Sequence, residues 1–271
     1  SRLKSLFGYA KWTSVQNILD YILGVIDSLY IGHLLDANKL GLYTKARDIS
    51  FMPVSPFFII LDKVSFVAYS KLQGKLEKIQ EGFLKTFDVV ISVTIPFFLL
   101  FLVEGGIIVQ LLLGKKWLGI VVPLKILSAS IIFSSLVAIT RPIFDAIGRP
   151  DINVKSNIIQ LISSIVLVFF GAYYFGVNGV AFAMLISWVI ILIYIIFKIR
   201  PFLRLGWDKF FGSFITVLIA IMVVLIVCSP LYIYNKFVAY NILYSIILMC
   251  ISGSTYVVAL WLVGRLFKRS P

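Results

Sequence analysis

Long apolar segments recur along the chain, separated by short connections that hold charged residues or turn-forming glycine and proline. Each segment is long enough to cross a hydrocarbon core of about 30 Å as a helix. We expect eight spans, at about residues 9–35, 42–70, 84–112, 117–140, 155–175, 177–197, 210–229 and 238–264. The pattern therefore predicts an all-α polytopic membrane protein with about eight transmembrane helices.

The first span carries polar residues at spacings of three and four. They are Thr13, Gln16, Asn17, Asp20, Gly24 and Asp27. On a helix these positions form one stripe. Because an aspartate near the centre of a spanning helix costs about 2.5–3.5 kcal/mol, the stripe should face other helices or a water-filled cavity. Two interpretations stay open. Asp20 and Asp27 either line a cavity or pair with basic groups to fix the helix packing.

Other ionisable residues lie within the later spans. We expect Lys45 and Glu104 to extend their charged ends to a membrane interface. Lys63 and Lys125 lie deeper and need partners, which Asp20 or Asp27 could supply. Kinked helices with charges of both signs inside are typical of a transport pathway. The candidate substrate-pathway residues are Asp20, Asp27, Lys45, Arg47, Lys63 and Lys125.

The second span could offer cations near both ends of such a pathway. Lys63 follows Lys45 by 18 residues, which is about 27 Å along one continuous helix. The two lysines would then have nearly the same angular position. Arg47 points elsewhere and either joins the pathway or pairs with Asp27.

Two further local patterns are informative. The internal prolines Pro53, Pro56, Pro96 and Pro123 predict kinks in three of the spans. The segment 71–85 alternates lysines and glutamates with apolar residues at helical spacing, which predicts an amphipathic helix on the cytoplasmic face.

Composition and charge agree with a membrane protein. The chain is 61% hydrophobic with mean hydropathy +1.03, which excludes a soluble domain. Its net charge of +13 does not indicate nucleic-acid binding, because the cations lie between apolar spans. Most of them fall in alternate connections, whereas the opposite connections hold four lysines, namely Lys39, Lys115, Lys116 and Lys236. This bias predicts that both termini of the segment are cytoplasmic.

The sequence lacks the motifs of enzyme chemistry. It has no phosphate-binding loop, no Gly-x-Ser-x-Gly and no His-Glu-x-x-His. His33 is the single histidine, and Cys228 and Cys250 lie in apolar segments as expected of packing residues. The connections are too short for a catalytic domain. We therefore expect no enzymatic activity, no metal site and no cofactor.

Several segments together resemble a known family. They are IDSLYIG (26–32), GLYTKAR (41–47), MPV (52–54), FVAYSKLQ (66–73), LGKKW (113–117), AIGRPD (146–151) and FGVNGVA (175–181). In this order and spacing they are similar to bacterial polysaccharide transporters of the MOP superfamily, the Wzx-type flippases of lipid-linked oligosaccharides. The family often has a basic or polar residue just before the position of Asp27, where this chain has Gly24 and Val25. It often has Lys or Arg at the position of His33.

The resemblance implies an architecture and a function. Residues 1–199 would be the C-terminal six-helix lobe of a longer transporter, and residues 200–271 two further transmembrane helices. The partners would be the missing N-terminal lobe, membrane lipids and the substrate, an undecaprenyl-diphosphate-linked oligosaccharide. The implied location is the bacterial plasma membrane, and the mechanism alternating access. Coupling to an ion gradient would use Asp20 or Asp27.

Three alternative functions remain open. A multidrug or cation efflux transporter of the related MATE branch should have a carboxylate-rich, aromatic-lined cavity instead of a cationic one. A membrane-embedded glycosyltransferase or polymerase would need a sizeable exposed loop with acid and base residues. The remaining alternative is a scaffold that organises other membrane proteins.

Overall fold

The computed structural model of the chain describes residues 2–206, with side chains described from Lys11 onward. In this part seven α-helices and one short 3₁₀ helix follow one another through tight turns. They are α1 (Arg2–Leu34), α2 (Ala37–Phe51), α3 (Ser55–Lys71), α4 (Leu76–Leu113), the 3₁₀ helix Lys115–Ile120, α5 (Val121–Ala138), α6 (Arg141–Ala146) and α7 (Pro150–Leu203). The predicted all-α fold is confirmed. The expected spans at 210–229 and 238–264, with Cys228 and Cys250, lie outside the described residues.

Three helical segments in the described part have the length and apolar character to cross a membrane. They are Leu76–Leu113, Lys115–Ala146 and Pro150–Leu203, and the bent pair of α2 and α3 would make a fourth. Helix α1 is long enough to cross, but its polar stripe lowers its hydropathy. The count of eight spans therefore stays a prediction.

The second predicted span is two helices instead of one. Helices α2 and α3 meet at an angle of 56° across a break that contains Pro53, because a proline ring is incompatible with the interior of a helix. Lys45 and Lys63 consequently lie on different helices, and the idea that they share one helix face is wrong. Pro96, by contrast, lies inside α4, which continues through it.

The amphipathic segment 71–85 does not form a helix of its own. From Leu76 onward it is the beginning of α4, whose 38 residues extend about 57 Å and so exceed the thickness of a bilayer core. Ile79 and Phe83 are buried against the protein, whereas Lys78 and Lys85 are exposed. The apolar face therefore packs on the rest of the lobe, and the location of this segment at the cytoplasmic face stays a prediction.

Helix α7 folds back on itself at Gly176, whose φ of 57° is in the left-handed region that favours glycine. Its arms, residues 150–175 and 177–203, coincide with two predicted spans. The hydroxyls of Ser164 and Ser187 lie 3.3 Å apart across the hairpin. Near the turn the arms approach so closely that a Cβ on Gly179 would lie 2.0 Å from the carbonyl oxygen of Gly171.

Two clusters of buried apolar side chains hold the lobe together. One joins α4, α6 and the second arm of α7 around Phe83, Ile143 and Ile195, and the other joins α1, α2, α5 and α7 around Tyr43 and Leu124. Helix α5 packs against α2, α4 and α7 and is the most enclosed of the candidate spans. The exposed surface of α4 and α7 is rich in large apolar side chains, as expected of helices that face lipid.

Candidate functional site

The stripe of α1 carries two separate charge clusters. In the first, the carboxylate of Asp27 is fully buried and accepts hydrogen bonds on both oxygens. Tyr43 Oη donates to Oδ2 at 2.7 Å, and Arg47 Nη1 donates to both oxygens at 3.0 Å. The backbone N–H of Ser28 donates to Oδ1 at 2.7 Å, and Arg47 Nη1 also donates to the carbonyl of Gly24 at 3.2 Å. We call these residues the Asp27 cluster.

The helical hairpin of α1 and α2 explains why these residues meet. Asp36 caps the start of α2 by accepting the backbone N–H of Lys39 at 2.7 Å, so the chain reverses within two residues. Residues at equal distances from this turn then face each other. Tyr43 and Arg47, four residues apart on one face of α2, reach Asp27 together.

The second cluster lies two helical turns further down α1, about 10 Å along the axis. Arg141 Nη1 donates to both oxygens of Asp20, at 3.0 and 3.1 Å. Asn157 on α7 donates through Nδ2 to Asp20 at 2.9 Å and accepts from Arg141 Nη2 at 2.9 Å. We call Asp20, Arg141 and Asn157 the Asp20 cluster. It connects three helices, namely α1, α6 and α7.

Helix α7 also fixes the backbone that presents Arg141. One turn before Asn157, the buried Asn153 donates to the carbonyl of Arg141 at 3.2 Å and to the Asp145 carboxylate at 2.9 Å. The short helix α6 is thus held at its first residue and near its last. The arginine reaches Asp20 from a supported position.

Sequence reasoning missed this second set of residues. Arg141 lies in one of the basic connections, and the polar residues of α7 lie inside an apolar span, so neither stands out in the sequence. A usable signal was present, since Asn153, Asn157, Gln160 and Ser164 follow the spacing of one helix face and all four are buried.

The six predicted pathway residues occupy different environments. Asp20, Asp27 and Arg47 join the clusters described above. Lys45 and Lys63 are exposed, and Lys125 is half-buried between α4 and α5. The expected pairing of Asp20 or Asp27 with Lys63 or Lys125 is wrong, because arginines take both positions. Whether the six line a pathway stays a prediction.

The stripe is unevenly exposed, because Asp27 is buried whereas Asn17 and Gly24 are exposed. One other expectation needs correction. Glu104 does not extend to an interface. Its residue is 7% exposed, on the buried face of α4.

Outside the clusters, an open cavity of about 530 Å³ lies between the ends of α3 and α6. Its lining residues are Phe66, Ser70, Gln73, Gly74, Asp145, Ala146, Ile147 and Gly148. Between residues 2 and 206 no group of three or more His, Cys, Asp or Glu side chains is placed to hold a metal ion. At the turn between α1 and α2, the hydrogen bond from the Lys39 backbone holds the pKa of the Asp36 carboxyl below its usual range.

Together these features define a multi-pass membrane protein, a helical lobe with charged residues paired in its interior. Comparison of the whole fold agrees. The chain is similar to a structure of the lipid II flippase MurJ in an inward closed conformation, with a TM-score of 0.75 and 16% sequence identity. The match covers 94% of this chain and 52% of that structure. At this identity the likeness shows the fold alone.

Sequence comparisons confirm the resemblance to polysaccharide transporters. A family model described as polysaccharide biosynthesis protein matches residues 1–122. The chain is 26% identical over 207 residues to the lipopolysaccharide biosynthesis protein WzxC of Escherichia coli K12, covering 76% of this chain and 42% of that protein. It is 24% identical over 205 residues to the teichuronic acid biosynthesis protein TuaB of Bacillus subtilis, covering 76% and 40%.

A putative O-antigen transporter of Shigella flexneri is 19% identical over 188 residues, covering 69% of this chain and 44% of that protein. The chain spans about half the length of the curated relatives it matches.

Proposed function

We propose that the chain is the C-terminal part of a transporter that flips an undecaprenyl-diphosphate-linked oligosaccharide across the bacterial plasma membrane for polysaccharide export. The names of its relatives and the MurJ-like fold support a lipid-linked saccharide as the substrate class. A lipid diphosphate crossing a bilayer without compensating charge would be prohibitively costly, so the path must offer cations.

The observation that supports this proposal most strongly is the environment of the Arg47 guanidinium. Its Nη1 is held by Asp27 and Gly24, whereas its Nε and Nη2 make no hydrogen bond within the described residues. The side chain is 30% exposed, and its guanidinium lies 6.0 Å from the centre of the Tyr43 ring. A guanidinium that is anchored on one edge and open on the other is suited to binding a phosphate.

The rest of the transporter completes the path. In this proposal residues 1–199 form one lobe, residues 200–271 two further spans, and the remaining length of the relatives a second lobe. Alternating access between the lobes would carry the headgroup from the cytoplasmic to the outer face. The exposed Lys63 would meet the diphosphate first and Lys45 would receive it before release.

Export by the full-length transporter tests the role of Arg47. Arg47→Ala should abolish most surface polysaccharide, measured per molecule of folded transporter because the change also leaves the buried Asp27 without its ionic partner, and Arg47→Lys should restore part of it. Lys39→Ala is the matched control, because Lys39 is exposed on the same helix and pairs with Asp36. Normal export by Arg47→Ala would remove the observation on which the proposal rests.

The exposed lysines are tested in the same assay. Lys45→Ala and Lys63→Ala should each reduce export, and arginine at either position should restore much of it. Normal export by both alanine variants would move phosphate binding to Lys125 or to the other lobe.

The orientation has its own test. Cysteines near Asn38, Lys116 and Lys236 should react with an external reagent that does not cross the membrane, whereas those near Lys75 and Arg204 should not. The reverse pattern would contradict cytoplasmic termini.

A further inference from the structure

Glu104 is a buried acid inside the apolar part of α4. It lies nine residues before the helix ends at Leu113, which is about 14 Å along the axis. Its neighbours Phe101 and Gly105 are buried on the same face of the helix. The residue as a whole is 7% exposed.

Within the described part of the chain, Lys125 of α5 is the charged group that interacts electrostatically with Glu104. Gly105 has no side chain, so the Lys125 stem lies against α4. Its Cε and Cγ would be 3.6 and 3.9 Å from a Cβ built on Gly105. No hydrogen bond reaches the Glu104 carboxyl from the described residues, and the two charged groups do not approach within the 4.0 Å of an ion pair.

The other elements packed against α4 supply no further counter-charge in this part of the structure. The 3₁₀ helix offers Lys115 and Lys116, both exposed. Between residues 156 and 197 of α7 the titratable side chains are three tyrosines, Tyr173, Tyr174 and Tyr194. A bare carboxylate in such a place is costly, whereas the neutral acid or a carboxylate in contact with an ammonium group is tolerated.

We propose that Glu104 is a proton-binding site with Lys125 as its ionic partner. In the arrangement of this structure no ammonium group of the described residues contacts Glu104, and burial favours the neutral acid over the bare carboxylate. When the flexible Lys125 side chain brings its Nζ into contact, the carboxyl O–H bond breaks, the proton passes to water and the carboxylate accepts a hydrogen bond from the ammonium group. Asp20 and Asp27 differ from Glu104 in that each already has a guanidinium partner. The use of this proton to drive translocation rests on the proposed function.

Infrared spectroscopy of the full-length transporter in lipid nanodiscs tests the proton site without any substrate. Recorded between about pH 5 and pH 9, the stretching band of a protonated carboxyl group should lose intensity as the pH rises and be missing from Glu104→Gln. Glu77→Gln is the control, since Glu77 is exposed on the same helix. Lys125→Met should keep the band to higher pH, because the ionised form loses its partner. A spectrum without a Glu104-dependent band, or a band that does not change over this range, would overturn the proposal.

Transport in proteoliposomes tests the coupling. With a lipid-linked oligosaccharide as the probe, an imposed pH gradient should accelerate wild-type flipping, and Glu104→Gln should flip at a rate that ignores the gradient. A Glu104→Gln variant that responds as the wild type does would refute coupling through this site. A wild type that moves no lipid would contradict the proposed function and leave the infrared result standing.

Discussion

The Asp27 and Asp20 clusters use the same chemistry in different surroundings. Each pairs one α1 aspartate with an arginine at 3.0 Å. In the Asp27 cluster the carboxylate side chain is 2% exposed, and the arginine and tyrosine both come from the adjacent helix α2. In the Asp20 cluster the carboxylate side chain is 36% exposed, and its partners come from α6 and α7, more than 120 residues away.

The difference separates local anchoring from long-range connection. A buried carboxylate with all its acceptor positions used is costly to disturb, because removing one partner strands the other charge. A pair that is partly exposed is screened by water, and its loss costs less. The Asp27 cluster therefore fixes the α1–α2 hairpin. The Asp20 cluster joins α1 to α6 and α7, and it contributes less to the free energy of unfolding.

Loss of the buried Asp27 carboxylate should cause the largest loss of stability. Asp27→Ala should destabilise the full-length transporter by about 3–5 kcal/mol, because it leaves Arg47 and Tyr43 without their shared acceptor. Unfolding in mixed micelles measures the change. The double variant Asp27→Ala with Arg47→Met should recover part of it. A loss below about 1 kcal/mol would be typical of an exposed ion pair, and the proposed difference between the Asp27 and Asp20 clusters would be wrong.

Removing one donor from the same carboxylate should have an intermediate effect. Tyr43→Phe deletes the 2.7 Å hydrogen bond to Asp27 and keeps the ring in place. We expect a loss of about 1.5–3 kcal/mol, the usual range for a hydrogen bond to a charged group. Tyr30→Phe, in the partly buried shell of the same core, is the control and should change little. Equal effects at both positions would show that Asp27 does not depend on Tyr43.

The Asp20 pair should give a smaller coupling. A double-mutant cycle with Asp20→Asn and Arg141→Met should yield about 1 kcal/mol, since water screens the partly exposed pair. A coupling equal to that between Asp27 and Arg47 would show that exposure does not distinguish the clusters.

The smallest effect concerns the cap that begins the α1–α2 hairpin. Because the folded state lowers the pKa of Asp36, its contribution is complete above the usual carboxyl value and is lost as the pH falls through the lowered one. The protection factors of the first α2 amides against hydrogen exchange should therefore fall at acidic pH. Asp36→Asn should remove this pH dependence while it keeps the cap. Unchanged exchange in Asp36→Ala would show that the cap does not hold the turn.

The sequence by itself determined the class of the protein and much of its local structure. Apolar segments of spanning length can only be helices in lipid, since a helix satisfies its own backbone hydrogen bonds. The spacing of Asp20 and Asp27 put both on one helix face that had to avoid lipid, because a bare carboxylate there is too costly. The sequence also indicated that Arg47 could pair with Asp27, because the two residues lie on either side of one short turn.

Only the tertiary structure decided which charges meet over long distances. Arg141 and Asn157 reach Asp20 through the packing of α6 and α7 on α1, and no periodicity along the chain encodes such a contact. Glu104 became a buried acid because α4 turns that face toward α5, whereas its position in the sequence allowed an interface equally well. Pairing is settled by geometry across helices, and a linear pattern fixes only the face of each helix on which a residue lies.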